Sequence, residues 1–491
     1  MKKYLFSIVM TAAIAMAIIS CNDEFVDRPV EYSIDSENYF NSKEDYDKAL
    51  IAAYDLLQSS YMNVLVGEIA SDNTLAGGEN ASNEPGIQQI DDMIHTPVNK
   101  QLKNLWDWMF AGVQRANYIL EFKNKTDFQG KNQIIAETRF LRAYYHFELV
   151  KWFGGIPMKG DARFVPGDEK KMPRSSKAEV YSSIEADLIF ASENLPLTTT
   201  QKGRATRGAA LALLGKAYLY QNKFAPAAAT FDKLITSGSY SLVSNYNTIF
   251  ENEGENGPES VFEVQYTDVE GANFECLQCS EGNVAVGFSG PRSYSGDLFT
   301  SGYSFNVPTQ KIVNAFEAGD NRKAVAILDI EAWAASTGAT FGKGYEHTGF
   351  FNRKYIPRKR STTAQNDLNL TNPNNYRAIR YADVLLMAAE AFNRGGIDDV
   401  KARGYLNLVR RRAFGDLNHD ISSSGAALTD FILAERRVEL AGEGHRFFDL
   451  VRTGKAAQEI PGFTANKHEL FPIPIEEIQF SNGNWKQNQG Y

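Results

Sequence analysis

RGAALALLGKAYLYQNKFAPAAATFDKLITS, residues 207–237, decides the fold, because it sets small and aromatic residues at the offsets of a tetratricopeptide helix pair. Leu214 and Gly215 stand at the Leu-Gly pair, Tyr218 at the following tyrosine, Ala227 at the small position of the second helix and Phe231 at its aromatic, with Leu211 at the tryptophan position and no terminal proline. Small residues at 215 and 227 predict close approach of the two helices, and Tyr218 and Phe231 are expected to fill the space between neighbouring pairs. One pair cannot bury its own apolar face, so others must stack on it. The candidates are helices at 134–153 with 177–195, and at 376–394 with 398–413.

Helical periodicity continues on both sides of this pair. Ser42 and Asp45 form a capping box ahead of a helix near 43–58 that aligns Tyr46, Ala49, Leu50, Ala53, Tyr54 and Leu57. Leu102, Leu105, Trp106, Met109, Val113 and Leu120 repeat the three-four spacing, which places Trp106 in a core. Residues 134–152 are apolar round most of the circumference, as a buried helix requires, and Gly154, Gly155 and Pro157 end it. Ser176 with Glu179 opens another helix, stopped at Pro196. From 238 to 375 the chain turns to Gly, Asn, Ser and Thr with short alternating runs such as Val261 to Tyr266, a loop-rich region of the type that builds binding surfaces on a rigid scaffold.

The 491 residues carry 51 basic and 60 acidic side chains, a net charge of −9, and are 43% hydrophobic and 12% aromatic. That is a folded protein with a large core, and its acidity excludes a general attraction for nucleic acid. At the N-terminus Lys2 and Lys3 precede an uncharged run from Tyr4 to Ser20, a secretory signal over residues 1–20 that is too short to favour a membrane-spanning helix. Its ending, Ile18-Ile19-Ser20-Cys21, resembles the lipobox of bacterial lipoproteins, which makes Cys21 the lipidated first residue of the mature chain. Asn22, Asp23 and Glu24 resemble the surface-export signal of Bacteroidota lipoproteins. Acyl chains on Cys21 would hold the protein on a bilayer with no further membrane segment.

Catalytic patterns are sparse: there is no GxGxxG, Walker loop, HExxH or GxSxG. Histidines 95, 146, 347, 419, 445 and 468 are isolated, so no metal and no cofactor is expected. Cys276 and Cys279 make a lone CxxC, either a local disulfide or two free thiols. Near the C-terminus Glu435, Arg436, Arg437, Glu439, Glu443, His445, Arg446, Asp449 and Arg452 crowd together. They offer a general acid and base, but we read them as an ion-pair network on an amphipathic helix whose inward residues are Phe431, Ala434, Val438 and Ala441.

Four stretches now add up: AETRFLRAYYHFELVKWFGGIPM (136–158), GRATRGAALALLGKAYLY (203–220), YRAIRYADVLLMAAEAFNR (376–394) and ERRVELAGEGHRFFDLVRTG (435–454). With Ser71-Asp72, Gly77-Gly78, Val307-Pro308-Thr309, Asp320 and Arg322, and an ending in which Gln489 replaces the usual proline of QNPGY, they resemble the SusD/RagB family of outer-membrane lipoproteins. The resemblance implies a mostly α-helical fold in which tetratricopeptide-type helix pairs pack against a loop-rich ligand-binding region with few short strands. It divides the chain into the signal (1–20), an N-terminal SusD-like helical region (21–220) containing the start of the pair at 207–237, the loop-rich region (238–375) and a C-terminal SusD/RagB region (260–491).

By the same resemblance the protein is a non-enzymatic surface receptor, lipid-anchored to the outer membrane and facing outward. It would capture oligosaccharides or polysaccharides for a SusC-like TonB-dependent transporter, against which the tetratricopeptide face would pack. A RagB-like oligopeptide receptor and a surface hydrolase are the alternatives. Ligand residues do not carry over from the family, so they are nominated from three loops. These are 71–96, with Asn73, Asn80 and His95 to bond hydroxyls; 271–305, with Phe288, Tyr294 and Tyr303 to stack on sugar faces; and 331–352, with Trp333 and Tyr345. Each has an ordinary structural reading, and a helix through Ile327, Leu328 and Ile330 would make Trp333 core.

Overall fold

A computed structural model of the chain describes residues 39–364 and 366–491. The signal peptide and Cys21 lie outside the described residues. From the N-terminus the longer helices are α1 (Lys43–Asp55), α2 (Tyr61–Ile69), α3 (Pro85–Asp91), α4 (Lys100–Glu121), α5 (Lys131–Phe153), α6 (Lys177–Asn194), α7 (Arg207–Tyr220) and α8 (Phe224–Thr236). Within the loop-rich stretch lie α9 (Val284–Ser289) and α10 (Ile330–Thr337), and after it come α11 (Tyr381–Arg394), α12 (Asp399–Phe414), α13 (Gly425–Glu439) and α14 (Arg446–Arg452). The fold is mostly helical, and its strands are short.

Both capping boxes form, Ser42 with Asp45 ahead of α1 and Ser176 with Glu179 ahead of α6. The expected helix near 43–58 stops at Asp55 and continues as a single 3-10 turn, Leu56–Ser60, into α2. Three helix pairs stack in order: α5 with α6, α7 with α8, and α11 with α12, with α6 against α7 and α8 against α11. Within the central pair, a Cβ on Gly215 would stand 2.5 Å from the Phe231 ring. Phe231 therefore fills the gap inside the pair rather than between pairs, and Tyr218 is left half-buried on the outer surface. Trp106 is core, 3% exposed. On α5, Arg142 grips Asp187 of α6 through two bonds of 2.7 and 2.8 Å, a charge-assisted fork that fixes the angle of that pair.

Among the described residues four two-stranded antiparallel ladders lie beside the helices. They pair β1 (Thr74–Gly77) with β4 (Phe305–Pro308), β2 (Ser260–Val264) with β8 (Tyr376–Arg380), β3 (Arg292–Ser295) with β6 (Thr340–Gly342), and β5 (Ile327–Asp329) with β7 (Phe350–Asn352). The stretch 376–380, expected to begin a helix, is instead the buried strand β8, and α11 starts after it.

The C-terminal charge cluster is an ion-pair network, and of the four residues expected to face inward Val438 and Ala441 are buried while Phe431 and Ala434 are not. Phe431 is 40% exposed and Ala434 is exposed, while Glu435, Arg436 and Glu439 are buried beside Leu428 and Ile432. The reason lies on other elements. Arg380, at the end of β8, donates to Glu443 (2.7 and 2.8 Å), Glu259 (2.7 Å) and Glu439 (3.0 Å). Arg322 joins Asp320 (2.7 Å), Glu435 (2.6 Å) and Glu439 (2.9 Å), and Arg436 joins Asp383 (2.7 Å) and Asp449 (2.9 Å). Burial alone would raise the carboxyl of Glu439, yet Arg412, Arg380 and Arg322 hold it well below the usual carboxylate range. With so many buried partners, turning the charges outward would orphan them, which outweighs exposing one phenylalanine.

Candidate functional site

The three nominated loops meet at Gly78. Gly77 and Gly78 have φ of +70° and +101°, and a Cβ on Gly77 would lie 2.4 Å from the Ser304 carbonyl, so only glycine lets the chain run this close. The Gly78 N–H donates to Ser304 O (2.8 Å), continuing the β1–β4 ladder, and the Gly78 carbonyl accepts from Tyr345 N–H (2.9 Å). Gly77 N–H donates to Glu346 Oε2 (3.2 Å). One backbone position thus ties 71–96 to both other loops.

Around this junction the surface carries exposed rings among polar groups. Tyr345 is 37% and Phe274 is 51% exposed. Phe274 meets the half-buried Tyr303 edge-on at 5.5 Å. The Tyr303 hydroxyl donates to Asp367 Oδ2, and burial together with that carboxylate pushes the phenol up. Arg292 of β3 donates through its backbone to Ser304 Oγ (2.9 Å) and through its guanidinium to Tyr303 O (3.2 Å), and pairs with Glu79 (3.2 Å). Arg360 donates to Asn369 and Asn372 at 2.8 Å each. The Phe274 loop is fixed at both ends: Asp367 N–H donates to Ala272 O (2.8 Å), Asn273 Oδ1 accepts from Glu275 and Cys276 N–H, and Cys276 and Cys279 form a disulfide. Rings held this way offer flat apolar platforms at low ordering cost, with hydroxyl-bonding groups at their edges.

Of the other nominated residues, Phe288 is buried beneath the rings of Phe274 (6.4 Å) and Tyr303 (6.0 Å) rather than exposed with them. Asn73 is buried, its Oδ1 accepting from Arg437 Nε (2.9 Å), next to Asp72, which joins Arg437 (2.9 Å), Arg446 (2.8 Å) and Lys311 (2.6 Å). Asn80 is exposed at the loop tip and accepts from Ser82. His95 is buried on Phe471 with Nε2 against the Tyr491 hydroxyl (2.9 Å), and burial brings its imidazole down to about 3. Phe288, on α9, packs under Phe305 at 5.2 Å, and Tyr294 is buried with its hydroxyl accepting from Trp333 Nε1 (2.9 Å). Trp333 sits on α10, which begins at Ile330 because Ile327 and Leu328 belong to β5, and it is half-buried against Phe299 at 5.2 Å.

Phe274, Arg292 and Asp367 are not among the residues nominated from sequence. Phe274 and Arg292 lie inside a nominated loop, Phe274 two residues before the CxxC, a usable signal, whereas Asp367 lies outside all three loops. Among the described residues no group of three or more His, Cys, Asp or Glu is placed to hold a metal ion, and no helix is long and apolar enough to cross a membrane.

Stacked repeat-type helix pairs carrying a junction of long loops are matched by known proteins over almost the whole chain. Residues 328–469 match the SusD family, and residues 24–219 match the family described as "Starch-binding associating with outer membrane". A SusD-like protein of Formosa agariphila is 27% identical over 536 residues that cover all of both chains. A solved laminarin-binding SusD-like protein is 33% identical and superposes with a TM-score of 0.84, covering 92% of this chain and 100% of that one. The surface glycan-binding protein A of Bacteroides thetaiotaomicron, solved with laminarihexaose, is 25% identical with a TM-score of 0.81, covering 91% of this chain and 99% of that one. The chain belongs to the SusD/RagB family.

Proposed function

We propose that this protein is a cell-surface glycan receptor, anchored to the outer membrane through lipid on Cys21, that captures oligosaccharides or polysaccharides for a TonB-dependent transporter. The observation that carries the reading is the junction at Gly78, whose backbone ties together the loops that carry the Phe274–Tyr303 ring pair and the exposed Tyr345, with Tyr303 beside Arg292 and Asp367. Sugar rings stack on such platforms through their axial C–H faces while their hydroxyls bond the polar rim. The likeness to proteins named for laminarin and laminarihexaose supports a glucan as the first ligand to try. The carboxylates of this surface are engaged, Glu79 by Arg292 and Asp367 by Tyr303, which supports binding over hydrolysis. Lipid anchoring is supported by the Ile18-Ile19-Ser20-Cys21 ending of the signal, and partnership with a transporter by family membership alone.

The test is calorimetric titration of the purified protein with laminarin and laminarihexaose, with plant and fungal polysaccharides and a peptide digest alongside. Saturable glycan binding that Phe274→Ala or Tyr303→Ala weakens supports the reading. Binding of peptides alone, or release of sugar from the polysaccharide, overturns it.

A further inference from the structure

A second concavity, of about 890 Å³, opens between the one-turn helix Lys323–Ala326, β5, α10 and β7, and shares no residue with the surface at Gly78. Its apolar wall is Ile327, Leu328, Phe350 and the half-buried indole of Trp333, which the bond to Tyr294 holds in one orientation. Two cations line it, Arg353 and Lys323, and among the described residues neither has an ion-pair partner. Arg353 donates one Nη to the Ala324 carbonyl, while its Nε is buried with no hydrogen-bond partner. Of the acids near it, Glu251 is taken by Arg358 (2.9 Å) and Asp320 by Arg322, while Asp329, at the rim of the cavity, caps α10 by accepting from Ala332 N–H (2.9 Å) and pairs with neither cation. Burial first, and then the charge of Arg358, hold the guanidinium of Arg353 below its ordinary value. A partly desolvated cation whose only hydrogen-bond partner is a carbonyl is costly, and an oxyanion is a ligand that relieves it, since a guanidinium N–H bonds carboxylate and sulfate oxygens.

We propose that this cavity is a second saccharide subsite that takes sugars bearing an oxyanion, either a uronate carboxylate or a sulfate ester, with Trp333 under the ring and Arg353 and Lys323 on the charge. The proposal rests on the glycan-receptor reading above. A volume near 890 Å³ lies within the range of about 300 to 1,000 Å³ usual for ligand pockets and accommodates more than one sugar ring. β3 links the two places, because Arg292 touches the Tyr303 and Glu79 side and Tyr294 the Trp333 side. One extended polysaccharide would then be read for ring faces at one end and for charge at the other.

The experiment is titration of the purified protein with oligogalacturonides, with sulfated carrageenan oligosaccharides of matched length, and with laminarihexaose as the neutral probe. It is repeated on Arg353→Gln and Lys323→Gln, at low and at high salt. An acidic probe is expected to bind, to weaken about tenfold in Arg353→Gln and a few-fold in the exposed Lys323→Gln, and to weaken with added salt, while laminarihexaose binding is unchanged. Binding of the uronate probe alone names the carboxylate as ligand, and of the sulfated probe alone the sulfate ester. Laminarihexaose binding without binding of either acidic probe, or acidic binding indifferent to both substitutions and to salt, overturns the subsite and leaves the receptor reading standing. Failure of every glycan to bind overturns both. If Arg353→Gln does not fold, Lys323→Gln and the salt dependence decide.

Discussion

Charge is used in opposite ways in the two halves of this molecule. Around α13, Arg322 from the loop-rich stretch, Arg380 at the end of β8 and Arg436 of the helix itself are 1% exposed and saturated with carboxylates, so charge there specifies which elements pack on that helix. On the loop side the guanidinium groups of Arg292, Arg353 and Arg360 are only partly buried, and Arg353 and Arg360 meet carbonyl or amide oxygens rather than carboxylates. Satisfied charge fixes structure; under-satisfied charge is available to a ligand. The comparison predicts that scaffold substitutions cost stability without altering specificity, and that loop substitutions do the reverse.

The largest effect is expected from Arg380→Ala, which takes one buried cation from each of Glu259, Glu439 and Glu443, leaves them to Arg412, Arg322 and Lys354, and should cost about 3 to 5 kcal/mol in urea unfolding. An unchanged midpoint would show that the network is not what holds the scaffold. Next is Gly215→Val, whose side chain drives into the Phe231 ring and should cost about 1 to 3 kcal/mol, with glycan affinity of the folded fraction intact. On the loop side Phe274→Ala should weaken laminarihexaose binding about tenfold while moving the unfolding midpoint little, since surface substitutions usually fall within about 0.5 kcal/mol. A stability loss with no change in affinity would reverse its assignment.

A separate effect concerns pH. Burial first, and then Glu346 and Asp92 against the Ala76 N–H, push the carboxyl of Asp91 up to about 7. The folded protein therefore binds a proton there more tightly than the unfolded chain does. Its contribution favours the fold below the ordinary value of 3.8 and is lost as pH rises from there through about 7. Asp91→Asn should flatten stability over that window, read as unfolding midpoints at several pH values. An unaltered slope would place the carboxyl in water.

Much of the scaffold was legible because helices advertise themselves locally. The two capping boxes, the breakers at Gly154 and Pro157, and the Leu214, Gly215 and Phe231 spacing are all short-range patterns. Where the reading missed, a distant partner had overruled the local pattern. Phe431 looked inward until Arg322 and Arg380 supplied partners for its charged neighbours, and 376–380 looked helical until β2 paired with it. The loops were legible as loops, but their meeting was not. The Gly77 to Phe305 pairing and the Gly78 to Tyr345 bond join residues hundreds of positions apart and leave no periodic trace.

Asp72 has a consequence for the order of events in the cell. It is clamped by Arg437 and Arg446, 365 and 374 positions further along the chain. A polypeptide threaded through a membrane from its N-terminus cannot close that clamp until nearly all of it has emerged. The loop that begins at Ser71 is therefore among the earliest segments to be made and among the last to be set.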